Sequence, residues 1–316
     1  MNTKESKTIS IFSLILTVSG FNVITAVSFL YRIFKTNTSL VFHIIISIIS
    51  IAGVIGTSIL CIIILLKYKR VQTTFSNHYL EFLSNFRNVY YELIQEDNEF
   101  KKTDSCKYKC KNMSKTMRTS TVKMLDSVCS IFEDITRKKI CACIKIISFS
   151  NDQEPLVYTL ARSKNTSNDR QENDKNAFRL LRENTDFNVL SYGPDQFFYS
   201  RSLKKTDKRL LKKRGVHYCN NSPNYGQEYK YYKSTIVVPI KYQQSFNTGE
   251  YIVHLDNSSV LGFLCIDSIS ERAFGESKDI SDRNIKLLKS FATCFFVLLD
   301  IYNFYLKKYE KESIGA

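Results

Sequence analysis

The chain has 316 residues, 44% of them hydrophobic, with a formal net charge of +15, nine Cys, four Pro and no Trp. That apolar fraction is enough for a packed core, so a wholly disordered or collagen-like protein is excluded. The cysteines are too sparse for a disulfide miniprotein and odd in number, which makes free thiols in a reducing compartment the simpler reading.

The aliphatic residues are concentrated at the N-terminal end. No acidic or basic residue occurs from Thr8 to Tyr31, and from Thr36 to Leu66 only His43 does. A helix rises about 1.5 Å per residue, so roughly 20 apolar residues cross a bilayer core, and both stretches are long enough. The first stretch runs straight into Tyr31-Arg32-Ile33-Phe34-Lys35 without a cleavage-type motif, which reads as a membrane border rather than a signal peptide. Residues 1–68 are therefore expected to form a transmembrane hairpin, with helices at about 9–31 and 39–66. Lys4 and Lys7 before it and Lys67, Lys69 and Arg70 after it outnumber Arg32 and Lys35 in the connection. That bias places both termini in the cytoplasm of a multi-pass inner-membrane protein and puts every cysteine but Cys61 in a reducing compartment. Ser13 and Thr17 on the first helix and Ser50, Gly53 and Thr57 on the second fall on small-residue faces suited to close helix packing. Asn22, off that face, is the best candidate for an oligomer contact within lipid.

Residues 69–117 read as a stalk helix and a basic linker. Phe75, Tyr79, Phe82, Phe86, Val89 and Leu93 follow a 4-3-4-3-4 spacing, a short heptad-like stripe that predicts dimerisation through Phe82 and Phe86. Lys101, Lys102, Lys107, Lys109, Lys111, Lys115 and Arg118 then make a run that is either a solvated linker or a contact for anionic headgroups. Cys106 and Cys110 lie one helical turn apart without the further ligands of a zinc site, so no metal is expected.

Residues 118–308 alternate helix and strand, with a tail at 309–316. Val122, Leu125, Cys129 and Phe132 form an amphipathic stripe. Strands are expected at 140–149, 155–160, 197–200, 235–242 and 260–267, a helix at 174–184, and turn chemistry at 246–259. In the terminal helix Ile285, Leu288, Ala292, Phe295, Leu299 and Tyr302 step by three and four, with Phe295 and Leu299 as further dimer contacts. Helices at both ends of a largely antiparallel sheet make an α+β domain.

Ser234-Thr235-Ile236-Val237-Val238-Pro239-Ile240, Leu261-Gly262-Phe263-Leu264-Cys265-Ile266-Asp267-Ser268, Phe274 and the terminal helix together resemble a GAF domain, the small-ligand sensory module related to PAS domains. The resemblance implies a six-stranded antiparallel sheet with helices on one side and a pocket on the other, and residues 163–230 form an insertion relative to a minimal domain. Members of the family bind cyclic nucleotides, haem, tetrapyrroles or nothing. Asp267-Ser268 stands where the cGMP-binding phosphodiesterases carry Asn-Lys, and no Asp-Glu pair follows Phe274, so that ligand mode is not expected. His217 and Cys219 are the only His and Cys in the insertion, which disfavours tetrapyrrole attachment.

The insertion carries the densest charge. Arg201, Lys204, Lys205, Lys208, Arg209, Lys212, Lys213 and Arg214 are followed by Tyr225, Tyr229, Tyr231 and Tyr232 mixed with Lys230 and Lys233. Converging cations suit phosphates and aromatic faces suit bases, so Arg201, Lys204, Arg209, Lys213, Tyr229, Tyr232 and Lys233 are candidate ligand contacts. Such charge runs are more often solvated helix faces, and such Tyr clusters more often pack. No phosphate loop, nucleophile elbow or metalloprotease motif occurs, so no catalytic residues, no enzymatic activity and no cofactor are expected. Nucleic acid is disfavoured for lack of a recognised motif. The chain ends at Ala316, shortly after the last helix, so output is expected from the hairpin or from a separate partner. Two functions remain open. One is a membrane-anchored sensor of a phosphorylated or nucleotide second messenger, laid out like bacterial antiphage effectors. The other is a membrane scaffold that forms homo-oligomers and recruits a signalling partner.

Overall fold

The computed structural model describes residues 40–100, 105–149, 152–173, 178–193, 195–219, 231–241, 260–275 and 278–314. The chain divides into two compact units, Met1–Thr74 and Phe75–Ala316, with the boundary inside helix α1 (Leu40–Glu99).

In the first unit the described residues are helical. Its large aliphatic side chains Ile55, Ile59, Leu60 and Ile62 to Leu66 are exposed by 43–62%. The expected first membrane helix, with Ser13, Thr17 and Asn22, lies outside the described residues, as does the side chain of Ser50. Gly53 accepts a hydrogen bond on its carbonyl from the Thr57 hydroxyl at 3.0 Å. That bond is local to one turn, and no packing partner faces Gly53 among the described residues. Among the described residues no helix is long and apolar enough to cross a membrane.

The second unit is built on a six-stranded sheet. Its strands are β1 (Cys141–Phe149), β2 (Pro155–Arg162), β3 (Arg179–Leu180), β4 (Phe198–Ser200), β5 (Ser234–Ile240) and β6 (Gly262–Ser268). Their order is β3-β2-β1-β6-β5-β4, antiparallel at every pairing. β5 and β6 are buried along their whole length, which explains why they read as continuous apolar runs and not as alternating ones. Both faces are covered. Ala142, Ile144, Ile236, Val238, Leu264 and Ile266 meet α2 (Cys106–Thr136) and α6 (Lys278–Ile314), whereas Cys143, Val157, Val237, Phe263 and Cys265 meet a 3₁₀ turn (Leu181–Glu183) and α4 (Thr185–Tyr192). A sheet with helices on one face is what the GAF resemblance implies. The other face, expected to hold a pocket, is packed among the described residues, where Phe187 stacks on Phe263 at 4.4 Å.

Three sequence expectations are corrected. The helix expected over 174–184 is absent among the described residues. A short helix α3 (Asn168–Asn173) comes first, and Arg179 and Leu180 then pair with Val157 and Leu156 as an edge strand. The basic linker is in large part the start of α2, which opens at Cys106 under a Ser105 cap whose hydroxyl accepts from the Tyr108 amide at 3.3 Å. Thirdly, the heptad-like stripe is not a free dimer surface. Phe82 meets Phe291 at 4.5 Å and Phe295 at 5.9 Å, and Phe82, Phe295 and Leu299 are fully buried in the chain's own helical layer with Phe86 packed beside them. Hydrogen bonds from Ser120 to Glu92 at 2.9 Å and from Tyr309 to Asp97 at 2.7 Å bind the same helices together. A 4-3 spacing buries one helix face whichever chain supplies the partner, and here α2 and α6 supply it.

Candidate functional site

A cleft of about 690 Å³ opens where β4, the helix α5 (Leu203–Arg214), the turn after β6 and the first turns of α6 converge. Helical spacing decides which cations reach it. Lys205 and Arg209 are four apart on α5 and share one face that lines the cleft, and Arg201, which precedes the N-cap Ser202, lines it from the chain leaving β4, while Lys204, Lys208 and Lys212 project from a neighbouring face into solvent. Buried Leu203 and Thr206 hold α5 to the domain. Its entry is tied down by the Leu203 amide donating to the Lys233 carbonyl at 2.8 Å and by a 2.8 Å bond between the Ser200 and Thr206 hydroxyls. Ser202 occupies the N-cap but turns its hydroxyl to Glu271 at 2.9 Å. The Arg214 end closes on Gly215, whose φ of +68° is a conformation glycine adopts without strain.

A fourth cation arrives from far along the chain. Arg272 adopts φ +56° in the turn after β6, and its amide donates to the Arg201 carbonyl at 2.8 Å, which sets its side chain on the cleft wall. Phe197 and Tyr199 add aromatic surface. The Tyr199 hydroxyl donates to the Gly275 carbonyl at 3.0 Å, and the Arg201 guanidinium lies 5.9 Å from the Tyr199 ring centre. Burial raises the Tyr199 phenol above its ordinary value, opposed by Arg201. On the remaining wall, Ser281, Asp282 and Ile285 come from the N-terminal turns of α6. Four cations against the single carboxylate of Asp282, beside aromatic rings and hydroxyls, form a surface for a multiply charged anion with a planar part.

The predicted contacts separate accordingly. Arg201 and Arg209 are brought together in the cleft. Lys204, Lys213 and Lys233 are exposed and do not line it. Tyr229 lies outside the described residues. Tyr232 is 7% exposed and serves the other face of the sheet, where the Arg170 guanidinium stacks over its ring at 4.6 Å. Arg170 also pairs with Asp267 at 2.7 Å, and Asp267 accepts from the Thr235 hydroxyl at 2.7 Å. Asp267, prominent in the family-like motif, thus neutralises a buried arginine. Lys205, Arg272, Phe197, Tyr199 and Asp282 were not among the candidate contacts. The four-residue step from Lys205 to the candidate Arg209 was the signal for the first of these, and Arg272 had none.

A second polar group lies on the buried side of α4. Asp186 is 4% exposed and accepts from the Tyr218 hydroxyl at 3.0 Å and the Phe187 amide at 2.9 Å. Burial pushes its carboxyl up to about 7 against those two hydrogen bonds.

No protein-family model and no curated protein matches the chain. Among solved structures it is similar to the GAF domain of an Acinetobacter phosphoenolpyruvate-protein phosphotransferase, at 13% identity, 70% of this chain, 97% of that one and a TM-score of 0.35. It is similar too to the GAF domain of a phosphoenolpyruvate-protein phosphotransferase from Coxiella burnetii, at 12% identity, 68% and 93% coverage and a TM-score of 0.33. The phycoerythrobilin-bound GAF domain of a cyanobacterial phytochrome matches at 11% identity, 71% and 97% coverage and a TM-score of 0.34. At such identities no residue role passes to this chain, and its architecture is the mixed helix and antiparallel-sheet fold set out above.

Proposed function

We propose that the protein is a membrane-anchored sensor whose GAF-like domain binds a phosphorylated ligand of the nucleotide class in the cleft between α5 and α6. The observation that carries this reading is the row Arg201, Lys205 and Arg209, joined by Arg272 beside Tyr199. Phosphate oxygens take several charge-assisted hydrogen bonds at once, and a base finds an aromatic face next to them. Anchoring is supported by the two long uncharged N-terminal stretches and by the exposed aliphatic side chains of Ile55 to Leu66. In this reading both termini are cytoplasmic, and occupancy of the cleft alters the packing of the membrane hairpin, as in an effector that disrupts the membrane on infection.

The test is calorimetric titration of the detergent-solubilised full chain with mono-, di- and cyclic nucleotides. Each charge-assisted contact is worth about 1.5–3 kcal/mol, so Arg201→Ala with Arg209→Ala weakens binding by about 100-fold or more. Lys204→Ala with Lys213→Ala leaves it within a few-fold, and equal effects of the two pairs refute the assignment of the cleft. Flotation of the expressed protein with lipid vesicles after alkaline extraction tests the anchor separately. The scaffold reading draws on exposed Leu80, Tyr91 and Phe304, apolar side chains that a partner could cover. It predicts binding of no nucleotide and a partner lost on Phe304→Asp.

A further inference from the structure

The two central strands carry directly opposed cysteines. β1 and β6 pair antiparallel with Cys143 opposite Cys265, so both side chains leave the same face of the sheet. Opposed residues in such a ladder have Cα atoms about 4.5–5.5 Å apart, inside the roughly 4.4–6.8 Å that a disulfide spans. Both cysteines are free thiols, 2% and 4% exposed, in the apolar cluster with Phe187 and Phe263.

Their surroundings divide the labour between them. The facing Cys265, with Arg162 and Lys145 nearby, holds the Cys143 thiol below its ordinary value despite burial. Burial pushes Cys265 well up, and the facing Cys143 adds to that. By contrast, burial raises the thiols of Cys129, Cys141 and Cys294. Cys143 is thus disposed to act as the nucleophile and Cys265 as the proton-bearing resolving thiol.

We infer that Cys143 and Cys265 are an oxidisable dithiol that hydrogen peroxide closes to a disulfide across the two central strands. The Cys143 thiolate attacks one peroxide oxygen, the O–O bond breaks, and the departing hydroxide takes a proton to leave as water. Cys143 is then a sulfenic acid. The Cys265 sulfur gives up its proton and attacks the Cys143 sulfur, the S–O bond breaks, and a second water leaves. Two thiols lose two electrons and one peroxide is reduced to two waters.

The full chain in detergent is treated with hydrogen peroxide, its remaining thiols are blocked with N-ethylmaleimide, and the digest is mapped by mass spectrometry. The expected result is a Cys143–Cys265 linked peptide, lighter by two hydrogens and reversed by dithiothreitol. In Cys265→Ser, Cys143 is trapped by dimedone as the sulfenic acid, and in Cys143→Ser no sulfenic acid forms at Cys265. Alkylation of both residues after peroxide treatment overturns the inference, as does a Cys143 disulfide to any other cysteine. The wild-type map decides the matter even if a serine variant does not fold.

Discussion

Asp186 gives the sharpest test of the buried face. Its folded-state value of about 7 lies far above the ordinary 3.8 because burial penalises the carboxylate. The folded protein therefore holds this proton where the unfolded chain has released it, so stability from this group is complete below about pH 4 and falls as pH rises towards 7. The difference corresponds to on the order of 4 kcal/mol once the group ionises in both states. Asp186→Asn keeps an acceptor for the Tyr218 hydroxyl and removes the ionisation. Urea unfolding of both proteins across pH 4 to 8 should show similar stabilities at the acid end. The asparagine variant should then gain by several kcal/mol up to pH 7, with a constant difference above it. Other titrating groups are common to both proteins and cancel in the comparison. A difference that stays flat across the range refutes the reasoning, since Asp186 would then ionise in the folded state as it does in the unfolded one.

Three further substitutions probe the packing that positions the cleft. A Cβ at Gly262 would stand 2.1 Å from the Lys145 carbonyl oxygen, backbone that cannot swing aside, so Gly262→Ala should cost more than about 3 kcal/mol, read as a large fall in Tm. Phe82→Ala should cost about 3–5 kcal/mol with no change of oligomeric state on size-exclusion chromatography, because the ring is buried within one chain. Arg170→Met should destabilise by about 3–5 kcal/mol by leaving the Asp267 carboxylate buried without its cation. Adding Asp267→Asn should recover part of that loss, and additivity of the two would show that the pair does not interact.

The strands around the site were legible because burial on both faces leaves a plain mark. Ser234 to Ile240 and Gly262 to Ser268 are apolar runs bounded by polar residues, and their predicted limits fell within two residues of the observed ones. The basic run from Arg201 to Arg214 was visible too, and Arg201 and Arg209 within it do reach the cleft, but its helical limits were not drawn. Arg272 was not, because what places it is a backbone hydrogen bond to Arg201 and a left-handed turn, neither of which has a local signature. The Arg170 pair with Asp267 is hidden for the same reason, since two residues distant in sequence meet only after the sheet forms. The stripe from Phe75 to Leu93 failed differently. Its periodicity was read correctly as a buried helix face, but spacing carries no information on whether the partner is a second copy or another part of the same chain.

That correction changes how a signal from the cleft would travel. Ser281, Asp282 and Ile285 of α6 line the cleft, and Phe291 and Phe295 of the same helix clasp Phe82. From Ile285 to Phe291 is about 9 Å along a helix at 1.5 Å per residue, a span over which a helix moves as one piece. An anion that draws Arg201, Lys205, Arg209 and Arg272 together must also settle against these first turns, with Asp282 resisting its charge. A close-packed interior accommodates such a shift by changing between discrete arrangements and not by yielding locally, so the aromatic cluster at Phe82 is where it would first register. The ligand can drive this only by binding one arrangement more tightly than the other, so Phe291→Leu, which loosens the clasp while leaving the cleft residues in place, should alter nucleotide affinity in the sensor reading. In the scaffold reading the same ring is core alone, and its replacement changes stability without touching any ligand.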